Sequence, residues 1–479
     1  MKNQIRYCMM PERELPVIAE ADIIVAGATL AGIAAALKAA EMGAKVFVVG
    51  YMPYPAEDLC GTYKYLFEEQ RGEHPLLGKL FPKDVDRWPF TVKKALENEL
   101  IDRGVDFLYS SYVTEVLFDD RSEPAGVIIT NRSGQQILRG KVLIDATHGA
   151  DVAKLAGAPF QEEGAEQLQK FQFITVGNTT DPTGDKRILP ISPKKDGVAF
   201  PANEYTFHYR MEDWTYPTLC RIEQEIRGKA WDPDQVDAAD CLFYIPPFRI
   251  KGLRSYKDHS IDGLPVEALV PEDSQRLFVL GACADVERGL AEEFYRPANA
   301  VFLGEMIGKA AAELARGLDT SCGLVLAKTE ESSVLDGVLC IGSTPLRPAF
   351  SKEWVKLERT YIPVIGEYDV VVLGGGTAGA NAGIGAARHG AKTLVAEYLH
   401  GLGGTQTMGR IGVYYDGYRE GFTREIDKGV SEMGPADHPR RKLPDGHFNY
   451  DWKMEWYRRQ IREAGGDIWF GVLGAGALV

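Results

Sequence analysis

Apolar positions in this chain gather into short β-branched runs, each followed by a helix of small residues. That is the pattern of buried parallel strands joined by helices. Asp369 to Leu373 is one such run, closed by Gly374. A helix follows, with Ala382, Gly383, Ala386 and Ala387 on one small-residue face. Gly390 stops it, and Lys392 to Ala396 forms the next run. Ala21 to Tyr51 repeats this order. With a shift of 347 and no gap, positions 22–50 and 369–397 are identical at 12 of 29 places. The sequence predicts an internally duplicated βαβ opening.

The first copy continues. Phe90 to Arg103 reads as a helix through Val92, Ala95, Leu96 and Leu100, ended by Gly104. Val105 to Leu117, Gly126 to Thr130 and Lys141 to Ala146 read as strands, with a turn at Arg121 to Pro124. From Glu162 to about Glu272 the pattern weakens, leaving strands at Thr206–Arg210 and Cys241–Ile245 and a helix around Thr218–Arg227. Leu277 to Leu280 is a buried strand, and Asn299 to Leu314 an amphipathic helix carrying Gly304, Gly308, Ala311 and Ala312. Leu318 to Gly366 is a connector broken by Pro345, Pro348 and Pro363. In the second copy, Thr423–Met433 and Asp451–Glu463 read as helices, and Gly465 and Asp467 match Gly104 and Asp106. Ala436 to Asn449, with His438, is polar and expected on the surface.

Candidate chemistry sits in the glycine turns. Gly374, Gly375, Gly376, Thr377, Ala378 and Gly379 spell G-x-G-x-x-G between a strand and a helix. The first glycine allows the turn, the second lets a pyrophosphate approach, and the third packs helix on strand. The helix N-terminus then faces the phosphate. Glu397 ends the second strand, where an acid accepts from a ribose. Gly403, Gly404 and Thr405 make a second turn. In the first copy Thr29 replaces Gly376, Gly50 replaces Glu397, and only Gly61-Thr62 echoes Gly404-Thr405. The first copy therefore reads as the same fold with a damaged dinucleotide site.

The strand-end acid followed by Gly403-Gly404-Thr405 resembles the FAD-dependent oxidoreductase family of the glutathione-reductase-like flavoprotein fold. Asp145-Ala146-Thr147 resembles the family's later strand end, although His148 and Gly149 depart from it. A lone histidine there reads as packing before catalysis. The resemblance implies an α/β architecture of Rossmann-like FAD-binding domains with an inserted α+β substrate lobe. It implies FAD contacts at Gly374 to Gly379, Glu397 and Gly403 to Thr405, and an acid near the ribityl chain, here Asp285. The organisation expected is a tail over 1–20 and a first unit over 21–317. That unit has nucleotide-binding parts at 21–160 and 275–317 and a substrate lobe at about 161–274. A connector over 318–366 and the opening of a second unit over 367–479 complete the chain. Arg210, Tyr244, Arg249, Arg254 and Tyr256 of the lobe read as solvated surface, and Arg410, Tyr414 and Tyr415 as candidate neighbours of a flat ring. Val479 corresponds to about Phe118, so the second copy is expected to be a truncated piece, or one completed by the first unit, by a homo-oligomer or by another chain.

Composition narrows the partners. A formal charge of −14 argues against nucleic acid, and no apolar run is long enough to span a membrane. The seven cysteines are scattered without C-x-x-C, which suggests cytoplasmic thiols and no metal site. The expectation is an FAD-dependent oxidoreductase passing a hydride from a small-molecule substrate to flavin, with no catalytic base assignable from sequence. The alternatives are a non-catalytic flavin-fold scaffold and an NAD(P)-dependent dehydrogenase.

Overall fold

The computed structural model describes residues 6–66, 74–82, 88–162, 167–179, 185–195, 197–320, 323–326, 334–335, 339–340 and 353–478. The architecture is α/β. Strand β1 (Arg13–Ala26), helix α1 (Leu30–Glu41) and strand β2 (Val46–Val49) form a parallel βαβ unit, with β3 (Asp106–Leu108) parallel on the outer side of β2. On its other edge β1 pairs in parallel with β4 (Gly134–Asp145). In turn β4 pairs in parallel with β5 (Leu277–Val279). Ile23, Ile24 and Val25 are buried because helices and strands cover both sheet faces.

Helix α2 (Pro297–Arg316) lies against α1 at backbone distance. A Cβ on Gly304 would stand 2.4 Å from the Ala31 carbonyl oxygen, and one on Gly308 2.3 Å from that of Ala35. The small-residue stripe seen in the sequence is thus the seam that lets both helices sit on the sheet. Between β4 and β5 the chain builds a separate antiparallel sheet around Leu168–Gly177, paired with Ala202–Arg210 and backed by the helix Tyr216–Ala230.

The second half begins with β6 (Val370–Leu373), α3 (Thr377–Arg388) and β7 (Thr393–Glu397). After α4 (Tyr450–Glu463) comes β8 (Asp467–Phe470), parallel to β7. The two openings pair in one register: Ile23 opposes Val46, and Val370, at the same shift of 347, opposes Thr393. They differ at the far edge. Among the described residues no strand lies on the free side of β6, and Val371 and Leu373 are 51% and 60% exposed.

This half docks on the helix Tyr216–Ala230 and the segment after it. The Tyr216 hydroxyl donates to the Phe470 carbonyl, Arg458 Nη1 to the Gln224 carbonyl (2.8 Å) and Trp452 Nε1 to the Pro233 carbonyl (2.9 Å). Docking also buries part of the polar stretch expected on the surface, because His438 Nε2 lies 2.8 Å from Asp234 Oδ1. The expected tail differs too. Tyr7–Met10 is a strand, and β1 begins at Arg13, where Leu15 and Val17 are buried and Arg13–Pro16 pairs with Trp354–Leu357. Pro345, Pro348 and residues 1–5 lie outside the described residues.

Candidate functional site

The second glycine turn gathers its expected residues into one corner. Gly374 takes φ +95°, a left-handed conformation that favours glycine. A Cβ on Gly379 would fall 1.7 Å from the Gly374 carbonyl oxygen, so only glycine lets α3 start there. Gly376 heads α3 with no side-chain cap, and a Cβ on it would meet nothing within 4 Å. Glu397 is buried; its Oε2 accepts from the Gly375 N–H (2.7 Å) and its Oε1 from the Leu399 N–H (3.0 Å). Gly403 closes the corner, its N–H donating to the Gly375 carbonyl (2.8 Å) while Thr377 Oγ1 donates to the Gly403 carbonyl (2.9 Å). Gly404 lies against Gly376, and Thr405 next to it is exposed. The room above Gly376 and the uncapped helix start fit a pyrophosphate.

The first turn is built the same way and filled differently. Gly27 takes φ +99° and lies against Ala146. Thr29 caps α1, its Oγ1 accepting from the Gly32 N–H (3.0 Å). Asp58 Oδ1 accepts from the Leu30 N–H (2.9 Å). The N–H groups that would greet a phosphate are thus held by the chain's own side chains.

Beside this turn lies a cavity of about 550 Å³. Tyr51, Tyr112, Trp214, Tyr244, Tyr295 and His148 give it an aromatic lining, and Glu57 and Asp58 bring carboxylates. His400 and Phe470 reach in from the second half. His148 Nδ1 lies 2.8 Å from the Tyr295 hydroxyl, and its ring stands edge-on to Tyr244 at 4.7 Å. Burial, helped by the Lys154 charge, pushes His148 down to about 4. His400 Nε2 and the Tyr51 hydroxyl lie 3.8 and 3.7 Å from Cys241 Sγ. Burial pushes His400 down and the Cys241 thiol up, so both are neutral near pH 7.

Two expectations are revised here, those for Tyr244 and Asp285, and the packing role of His148 is extended. Tyr244, read as solvated surface, lines the cavity because its strand Phe243–Tyr244 pairs onto the lobe sheet from inside. His148 does pack, and it also faces the cavity. Asp285 does not line the cavity: its carboxylate is engaged by Gln161 Nε2 (3.2 Å), the Gly252 N–H (3.1 Å), Ser255 Oγ (3.1 Å) and Arg249 (3.3 Å). Of the candidates near a flat ring, Tyr414 accepts a hydrogen bond from Lys453 Nζ (2.6 Å), while Tyr415 is exposed. Sequence reading missed Glu57, Tyr112 and His400, since Glu57 and Tyr112 are the first residues of a short helix and a strand and His400 lies on a loop, where no periodicity records which way a side chain turns. Among the described residues no group of His, Cys, Asp and Glu could hold a metal ion, and no helix is long and apolar enough to cross a membrane.

Asp58 yields a pH prediction. Burial raises it from 3.8 to about 6, so the folded chain holds an extra proton between those values. Stability therefore falls as pH rises through that window, and the loss is complete above it. Asp58→Asn keeps an acceptor for Leu30 and removes the charge. It should raise Tm at pH 8, by at most about 3 kcal/mol of stability, and have little effect at pH 4. Thermal melts at the two pH values check this.

An α/β chain with strand–glycine-turn–helix corners and a strand-end acid defines a dinucleotide-binding class of protein. The chain matches the family model of FAD dependent oxidoreductases over residues 64–244 and 369–465, more than half its length, and it belongs to that family, whose cofactor is FAD. The matched residues include the second glycine turn and leave out the first. No curated protein matches the chain. Solved structures similar to it include BexE, studied for oxidation during BE-7585A biosynthesis (16% identity, 62% of this chain and 63% of that one, TM-score 0.40). The flavin-dependent brominase Bmp2 is similar at 14% identity over 63% of this chain and 81% of that one, TM-score 0.40. A geranylgeranyl bacteriochlorophyll reductase-like protein from Thermoplasma acidophilum is similar at 15% identity over 64% of this chain and 81% of that one, TM-score 0.38. The chain spans just under two thirds of the length of BexE, the first of these.

Proposed function

We propose that the chain is an oxidoreductase whose second glycine turn holds FAD and which oxidises a small organic substrate. When bound, FAD would supply the redox chemistry, as acceptor of a hydride from the substrate. Gly376 would leave room for the pyrophosphate, the uncapped start of α3 would donate to it, and the buried Glu397 would offer its remaining lone pairs to the ribose. Gly403, Gly404 and Thr405 would stand beside the phosphates, since Gly404 lies against Gly376 and the Gly403 carbonyl accepts from Thr377.

One observation carries this reading: the helix start is uncapped in the second turn and held by Thr29 and Asp58 in the first. The organisation into a first unit over 21–317 and a second opening over 367–479 belongs to the same proposal. The test is flavin retention. Purified chain should show flavin absorbance that co-elutes with protein on gel filtration. Protein that stays colourless in excess FAD would favour the scaffold reading, to which the open edge of β6 lends support.

A further inference from the structure

We infer that Cys241, His400 and Tyr51 form a thiol site, assembled where the two halves meet, that captures an aromatic aldehyde as a hemithioacetal. Of the described cysteines, Cys60, Cys220 and Cys283 are buried, while Cys8 and Cys241 are partly exposed. Cys241 lines the cavity and Cys8 does not. Two groups stand at the Cys241 sulfur. His400 Nε2 lies 3.8 Å from it, within reach of an S–H hydrogen bond, and the Tyr51 hydroxyl lies 3.7 Å from it. A base and a hydroxyl donor thus meet at one nucleophile.

Each member is held by a different element. The Cys241 N–H donates to the Gly61 carbonyl (2.9 Å), and Arg227 Nη2 donates to the carbonyl of Asp240 just before it. Arg227 belongs to the helix Tyr216–Ala230, on which the second half docks, and its Nε and Nη2 donate to Glu223 Oε1 (3.0 and 2.7 Å). His400 follows β7 on the loop before Gly403 and is partly exposed, so docking of the second half brings its ring to the sulfur. Gly471 (φ +69°) passes beside the ring without a side chain. A Cβ there would already touch His400 Nε2 (3.5 Å) and the Tyr216 hydroxyl (3.6 Å).

Charge decides the class of electrophile. Burial, with the Asp240 and Glu223 charges nearby, holds the thiol protonated, and burial holds His400 neutral. An alkyl halide or an activated ester would expel an anion into this aromatic cavity, which is costly. Addition to an aldehyde expels nothing. Cys241 Sγ bonds to the carbonyl carbon, and the π pair moves onto the oxygen. The thiol proton passes through His400 Nε2 to that oxygen. The product is a neutral hemithioacetal; nothing is oxidised or reduced, and no group leaves. The Tyr51 hydroxyl, kept protonated by burial, donates to the oxygen as charge develops. Tyr112, Trp214, Tyr216, Tyr244 and Phe470 line the walls, which suits an aryl group.

The full chain, freshly reduced, is titrated with benzaldehyde isotopically labelled at the carbonyl carbon and followed by carbon NMR. The signal should move from the carbonyl to the saturated region in proportion to protein. Cys241→Ser should lose that signal and Cys8→Ser should keep it. His400→Ala should slow exchange of free and bound aldehyde about 100-fold with the affinity nearly unchanged, as loss of a proton-transfer group does. Tyr51→Phe should weaken capture about 10-fold. Absence of the saturated-carbon signal with unaltered protein would overturn the inference, whether or not the variants fold. So would a signal that survives Cys241→Ser or vanishes in Cys8→Ser, or exchange no slower in His400→Ala. The signal reports bonding at one carbon and not turnover, so its outcome is independent of where FAD binds.

Discussion

Gly376→Val should release FAD while leaving the fold untouched. The backbone at Gly376 (φ −66°, ψ −163°) is one that valine adopts without strain, and its Cβ would enter open space. No contact of the folded chain is lost, so Tm should stay within a degree or two. That open space is where the pyrophosphate approaches the backbone, and an isopropyl group would keep it away. FAD affinity should fall at least about 100-fold, equivalent to roughly 3 kcal/mol. Thr29→Val is the paired control. It removes the cap on Gly32 and should cost about 1 kcal/mol of stability, with flavin retained. Fluorescence titration of FAD, run beside thermal melts, separates the two effects. Equal flavin loss in both variants would defeat the assignment of the second turn.

Gly308→Val acts on the fold and not on the ligand. Its first side-chain carbon would sit 2.3 Å from the Ala35 carbonyl oxygen, a backbone atom that no rotamer change can move. The helices α1 and α2 would have to part, pulling Ala31, Ala34 and Ala35 out of contact with the neighbouring helix. Overpacking of this kind costs about 3 kcal/mol, and Tm should drop by roughly 5–10 °C. Gly385→Ala is the contrasting case: it lies within α3 with nothing near its Cβ, and helix propensity should make it neutral or stabilising by up to about 1 kcal/mol. Circular dichroism melts of the two variants would show whether the glycine stripe is a packing seam.

Much of this architecture is legible in the amino-acid sequence. The period of the apolar runs marked β1, α1, β2 and their counterparts β6, α3, β7, because local strand and helix periodicity is written in adjacent residues. Gly374, Gly376, Gly379 and Glu397 could be named as one corner because the turn between a parallel strand and its helix is a local motif with fixed spacing. Family membership followed from those same residues and the Gly403-Gly404-Thr405 turn.

Only the tertiary structure decided what fills each corner. That the α1 start is held by Asp58, that Glu57 stands where Gly50 has no side chain, and that His400 from the second half lines a cavity of the first all depend on loop paths and docking. Asp285 likewise reads as a free strand-end acid until Gln161, Arg249 and Ser255 close around it. Periodicity records which face of an element is buried. It carries no record of which distant side chain arrives at a given backbone N–H, because that is set by the packing of whole elements against one another.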